Sequence, residues 1–445
     1  MLGRFAYTEP APLVVTVKSQ GSPISMNPEE ISYDTQFALH QVCTALNPLL
    51  ALRAYEENQY LLKDWRIIYA AEDDAGPFKL RRKEFADRGF ISTCFRGKSL
   101  WILDSEAIST LSPVRFQMGY GTFVDSNAAS FIKALAYREN PSLELTQYGN
   151  AIRKNFNNEE LATLNPYLYL WEAQRSWNEE TIENCRMTLA AIHALSLDPS
   201  PLDESWGLRF RNIYREQAEA YADELLADFQ KQLDNGLHEG IEQQVDLVES
   251  MILRTKIIEA SSSKSAEHKM GELIQFMHEE ASTFMLRELI VCADILCRSG
   301  RSALSKKLNS VLDKEDPLAM IKNCSWDLYL PRALDAMANT HTLPEADFYL
   351  GNLITFDTDV ADILKLTELR AMAMHRKSTF TFPFFNEEFV DWIATRVGEK
   401  RMNSLAGFFQ ADGFDSRAKL RSHARVKNIL VEDRARFLSM KKQKR

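Results

Sequence analysis

From about residue 155 to about residue 340, apolar residues recur every third or fourth position, the period of helices that bury one face. Good helix formers dominate that stretch. Its breakers are few: Asp198-Pro199-Ser200-Pro201, Asn235-Gly236, the Ser261–Ser265 run, Ser299-Gly300 and Pro317. No fixed repeat period emerges, so a helical solenoid is not indicated. The first 115 residues are mixed in pattern. Val14–Val17 is a short β-branched run, and Asp34–Glu57 is helical with Pro48 dividing it. Trp65–Ala71 and Gly89–Phe95 have strand patterns. Ser99–Leu103 has another, expected to face Gly89–Phe95 across Arg96-Gly97-Lys98. After the helical stretch a strand returns over Leu353–Phe356. Helices are expected from there to the end, interrupted by the aromatic run Phe380–Phe385.

Two segments share one design. Thr122-Phe123-Val124 leads into Asp125, and Leu353-Ile354-Thr355-Phe356 leads into Asp357. Each places a carboxylate just past the C-terminal end of a short apolar strand. In a parallel sheet those ends lie on one edge, where ligand sites form. Carboxylates gathered there repel one another unless a cation sits between them or one stays protonated. Mg²⁺ and Mn²⁺ suit oxygen ligands of this kind.

Asp125-Ser126-Asn127 after a strand resembles the opening of the PIN-domain nucleases, which begin with an apolar strand and Asp-(Thr/Ser)-Asn. Thr355-Phe356-Asp357 resembles the (Thr/Ser)-x-Asp that ends their fourth strand. The family supplies a Glu from a later helix, a place that Glu172 fits, and an Asp near the start of a helix before the last strand, a place that Asp327 fits. The resemblance implies a predominantly helical α/β fold with a PIN-like small parallel sheet flanked by helices, built from 116–180 and 318–395. The chain departs from the family in the long all-helical insertion at 181–317. The α+β domain of 1–115 precedes that core and a basic helical tail, 396–445, follows it.

What the resemblance implies chemically is metal-dependent hydrolysis of phosphodiester bonds, with RNA the favoured substrate and a bacterial toxin or phage-defence effector as the setting. Asp125 and Asp357 would ligate Mg²⁺ or Mn²⁺ directly, Glu172 and Asp327 would bind a second ion or hold waters, and Asn127 and Thr355 would orient ligands from behind. Asp347 and Asp359 stand as substitutes or additions. Each acid also has a plain reading: Asp125 and Asp327 as helix caps, Glu172 as a solvated helix residue and Asp357 as a turn residue. A non-enzymatic helical interaction protein is therefore the alternative. The two are separated by whether the four carboxylates converge.

Other chemistries find less support. H-E-x-x-H, G-x-S-x-G and the P-loop motif are absent, and His268 and His278 fit a charged helix face. Six scattered cysteines without a C-x-x-C pair suit free thiols in a reducing cytoplasm. No apolar stretch is long enough for a membrane span, and no signal peptide is read. The net charge of −9 argues against general nucleic-acid coating, but the last 46 residues hold 13 Lys/Arg against four Asp/Glu. There Arg417, Arg421 and Arg425 are four apart, the spacing of one helical stripe that would meet phosphates. The Phe380–Phe385 aromatics read as core before they read as base-stacking groups, and Trp171 and Trp326 as packing anchors beside the acids.

Overall fold

A computed structural model describes residues 31–85, 89–109, 116–198, 200–203, 205–297, 302–339, 346–378, 380–386 and 389–444. Val14–Val17 and Ser299-Gly300 lie outside the described residues. The chain is mixed α/β with helices in the majority, and no described helix is long and apolar enough to cross a membrane.

The described strands are β1 (Trp65–Ala71), β2 (Phe78–Lys79), β3 (Lys83–Phe85), β4 (Gly89–Ser92), β5 (Ser99–Leu103), β6 (Met118–Val124), β7 (Leu164–Asn165), β8 (Phe348–Thr355), β9 (Leu369–His375) and β10 (Thr381–Phe385). They form two five-stranded sheets. The first runs β10-β9-β1-β5-β2 and the second β3-β4-β8-β6-β7. In the second, β6 pairs in parallel with both β8 and β7, and β4 pairs antiparallel with β8. The first 115 residues thus contribute strands to both sheets, beside strands from beyond residue 347.

Several elements follow the sequence pattern closely. The expected division at Pro48 is real: one helix, Tyr33–Cys43, ends before it, and the next, Pro48–Glu57, starts on it. Asn47 caps the second helix, and Pro occupies the first turn, where its missing N–H is no loss. Trp65–Ala71 is a strand over its full length. β8 begins five residues before the expected start and is buried throughout, as befits a central strand covered on both faces.

Two expectations fail. β4 and β5 are not a hairpin, because the chain between them leaves one sheet for the other. Leu369 N–H donates to Cys94 O at 2.8 Å and Arg96 N–H to Leu369 O at 2.9 Å. Lys98 N–H then reaches Ala71 O at 2.8 Å. Gly97 makes the bend at φ +76°. The second failure is β9, expected as helix. Leu-Arg-Ala-Met-Ala-Met-His is composed largely of helix formers, yet it pairs with β1 on one side and β10 on the other. Every residue of it is buried, so tertiary pairing overrides a weak intrinsic preference.

Three apolar clusters hold these layers. One lies against the second sheet, and one packs the Tyr33–Cys43 and Pro48–Glu57 helices on the first. The third is helical and gathers buried residues from Val248 to Phe437. The Leu237–Ser261 helix joins two of them: Ile241 and Val245 belong to the sheet cluster, and Val248 through Ile258 to the helical one.

Candidate active site

Because β6 and β8 are parallel and in register from Met118↔Phe348 to Val124↔Ile354, their C-terminal ends emerge side by side. Asp125 and Asp357 follow them. Both act as helix caps, which is the plain reading for Asp125, whereas Asp357 was expected as a turn residue. Asp125 Oδ1 accepts from Ala128 N at 2.7 Å at the start of the Ser126–Tyr137 helix, and Asp357 Oδ1 accepts from Asp359 N at 2.8 Å at the start of the Thr358–Leu366 helix. Capping does not consume them. Asp125, Glu172, Asp327 and Asp357 all line one cleft of about 400 Å³, together with Ser126, Asn127, Ser130 and Phe131.

The side chains behind the acids are specific. Thr355, fully buried, donates its hydroxyl to Asp125 Oδ2 and accepts from Asp357 N at 2.8 Å, so one hydroxyl ties both strand-end acids. Ser126 donates to Glu172. Glu172 sits near the end of the Tyr167–Ala173 helix, with Arg175 3.8 Å from it. The Arg175 guanidinium lies over the buried ring of Trp326 at 5.6 Å and donates to Asn323 at 2.9 Å, linking Glu172 to the helix that carries Asp327.

Asp327 differs from expectation in one respect. It lies in the middle of the Pro317–Met337 helix rather than near its start, where Asp316 is the cap. The helix therefore presents Asp327 side-on to the strand ends. Lys307, from the Ala303–Asn309 helix, reaches Asp327 at 3.4 Å and Asp359 at 2.9 Å. Nothing in the sequence pointed to Lys307, because its place depends on how the long helical stretch folds back.

Burial pushes Asp125 up to about 7; the Thr355 hydroxyl and Ala128 N–H oppose the rise, and the charges of Asp357 and Glu172 add to it. Burial pushes Asp327 up to about 8 against the pull of Lys307, with Asp357, Glu172 and Asp359 adding to the rise. Burial works against the charge of Lys307, but Asp327 and Asp359 outweigh it and hold the ammonium above its ordinary range. Two acids are thus poised to carry protons near neutral pH. Among the described residues, no three His, Cys, Asp or Glu side chains are grouped tightly enough to grip one ion as they stand.

The alternatives separate cleanly. Asp347 precedes β8 and so lies at the opposite edge of the sheet, where it bonds Arg66 at 3.0 Å and Gln117 N at 2.9 Å; it does not replace Asp327. Asp359 joins the margin of the site through Lys307. Arg417, Arg421 and Arg425 do not form a single helical stripe: one helix ends at Leu420, the next begins at His423, and Arg421 falls between them. Arg417 is buried, stacked on Phe284 at 4.2 Å and bonded to Phe408 O. Arg421 and Arg425 donate to the carbonyls of Ser282, Glu279 and Glu280. These guanidiniums fasten the C-terminal segment to the Ala266–Glu279 helix and the turn after it.

The Phe run divides. Phe384 and Phe385 are buried as expected of core, while Phe382 is 40% exposed. Five of the six cysteines are buried free thiols, Cys297 being exposed. No family model, curated protein or solved structure matches the chain.

Proposed function

We propose that the chain is a metal-dependent nuclease that hydrolyses phosphodiester bonds, RNA before DNA, acting in the cytoplasm. The supporting observation is the convergence of Asp125, Glu172, Asp327 and Asp357 on one cleft at the C-terminal edge of a parallel strand pair. A shared cleft is what sets this reading apart from four unrelated acids with separate local roles.

The residues fit Mg²⁺ or Mn²⁺. Their donors are all hard oxygens, and a crowded set of acids, two of them driven toward protonation, is what a divalent charge would relieve. A tight cage is not required, since Mg²⁺ keeps several waters and commonly takes only one or two carboxylates. Asp125 and Asp357 would be the principal ligands, and Glu172 and Asp327, in the same cleft, would bind a second ion or hold waters. When bound, such an ion supplies positive charge to phosphoryl oxygens and acidifies a water. The chain supplies the rest. Thr355 fixes the orientation of Asp125, and Ser126 that of Glu172. Asn127 and Ser130 offer neutral polar groups to the substrate.

The test is Mn²⁺-dependent cleavage of single-stranded RNA by the wild type and Asp125→Asn. The expected result is wild-type cleavage that falls about 100-fold or more in the variant. Calorimetry of Mn²⁺ binding should show a matching loss in Asp357→Ala. Wild-type protein that neither cleaves nor binds Mn²⁺ would leave the four acids as structural groups of a helical interaction protein.

A further inference from the structure

A second cleft, of opposite character, is lined from β2 of the first sheet, β3 of the second and the end of the Leu143–Asn155 helix. It is lined by Lys79, Arg81, Arg82, Lys83, Arg153 and Lys154, with a cavity of about 700 Å³. Its lone lining carboxylate, Glu160, is already engaged: it bonds Arg81 and closes a capping box with Asn157. Arg81 is fixed over the buried ring of Phe156 at 4.5 Å, and Arg153 is tied to Asp198 O at 2.6 Å. Lys79, Lys83 and Lys154 are exposed, and none of the three pairs with a carboxylate among the described residues. A rigid floor of two arginines thus carries three exposed ammonium groups that meet no carboxylate among the described residues, Lys79 donating to Asp74 O and Lys83 to Asn155 O at 3.5 Å, in a protein whose net charge is −9.

The position of this groove relative to the acids is set by strand register. Lys83 on β3 is level with Ile91 on β4, Ile91 with Ile354 on β8, and Ile354 with Val124 on β6, the residue before Asp125. The row spans three inter-strand steps of about 4.8 Å, or about 14 Å. β3 runs the same way as β8 and β6, and Lys83 at its start is already level with the last residue of β6, while Lys79–Arg82 precede it in the chain. Aromatic contacts run between the two clefts: Phe131 at the acidic one touches Phe356 at 5.3 Å, Phe356 touches Phe85 at 5.6 Å, and Phe85 touches Phe156 at 6.1 Å. At a rise of about 3.4 Å per stacked nucleotide, about four nucleotides cover that distance.

We infer that the groove between Lys79–Lys83 and Arg153–Asn157 is the track for the phosphodiester backbone of a single-stranded nucleic acid, which it delivers to the acidic cleft. The inference rests on the nuclease reading for its second half only. Phosphates, and not bases, are the recognised group: the one aromatic ring in the lining, Phe156, is buried beneath Arg81 and offers no face for stacking. Specificity for sequence therefore does not come from this groove.

The experiment measures binding without cleavage. Fluorescence anisotropy of a labelled single-stranded oligouridylate in EDTA, from 50 to 200 mM NaCl, compares the wild type with Lys79→Gln/Lys83→Gln/Lys154→Gln. These are exposed lysines, so the fold persists. The triple variant should bind at least about 10-fold more weakly at low salt, with a log–log salt slope shallower by about 2, from three lost phosphate contacts. A control triple, Lys264→Gln/Lys306→Gln/Lys314→Gln on the helical part of the chain, should bind as the wild type does. No binding by the wild type, an unchanged slope in the groove variant, or equal displacement by polyglutamate of matched charge overturns the inference. Binding lost in the variant while the wild type fails to cleave RNA with Mn²⁺ upholds the track and overturns the nuclease reading alone.

Discussion

Thr355 is the single side chain on which both strand-end acids depend. Thr355→Val keeps its shape and removes a hydroxyl that donates to Asp125 and accepts from Asp357 N. Mn²⁺ affinity should fall about 10- to 100-fold, the usual effect of losing a group that orients a metal ligand, with the fold retained by circular dichroism. Asp327 makes a prediction of opposite kind. In the fold it keeps its proton to about pH 8, against about 4 in an unfolded chain. Between those values the folded state holds the extra proton, so its stability declines as pH rises across that window. In EDTA, Asp327→Asn should therefore raise Tm at pH 8.5 by about 2 °C or more, and the gain should shrink at pH 5. At this scale the sequence was informative about Asp125 and Asp357, because an acid just past an apolar strand is a local signal; Glu172 and Asp327 lie on helices and came from the resemblance, not from their own surroundings. Lys307 and the tethering of Arg417 were invisible, since each depends on a partner brought near only by the fold.

At the level of elements, the bend at Gly97 decides which sheet β5 joins. Its φ of +76° disfavours any side chain, and an added Cβ would sit 2.2 Å from Ala71 O, a backbone atom that cannot turn aside. Gly97→Ala should cost about 2 kcal/mol or more in chemical denaturation, and its effect should reach both sheets. The same bend explains why a hairpin looked right in the sequence and was wrong. Arg96-Gly97-Lys98 has turn composition, but a turn residue states only that the chain bends, and the hydrogen bonds of Leu369 choose where it goes. β1 was legible because its β-branched and aromatic residues agree with its environment. β9 was not, because its alanines and methionines suit a helix equally well.

For the molecule as a whole, the C-terminal helix His423–Lys444 is structural. Val426, Ile429, Leu430 and Phe437 are buried in the helical cluster, Phe437 completely. Phe437→Ala should cost about 3 to 5 kcal/mol, read as a lower urea midpoint, whereas a basic tail held off the body would tolerate the change. The strand order of the second sheet carries one more consequence. β8 sits between β4 and β6, so the acidic edge is closed by a strand made from residues 348–355, long after its neighbours. A ribosome releasing this chain exposes Asp125 and Glu172 well before Asp327 and Asp357 exist. No nascent fragment ending before residue 357 holds all four acids, so the acidic cleft is complete only when synthesis is mostly done.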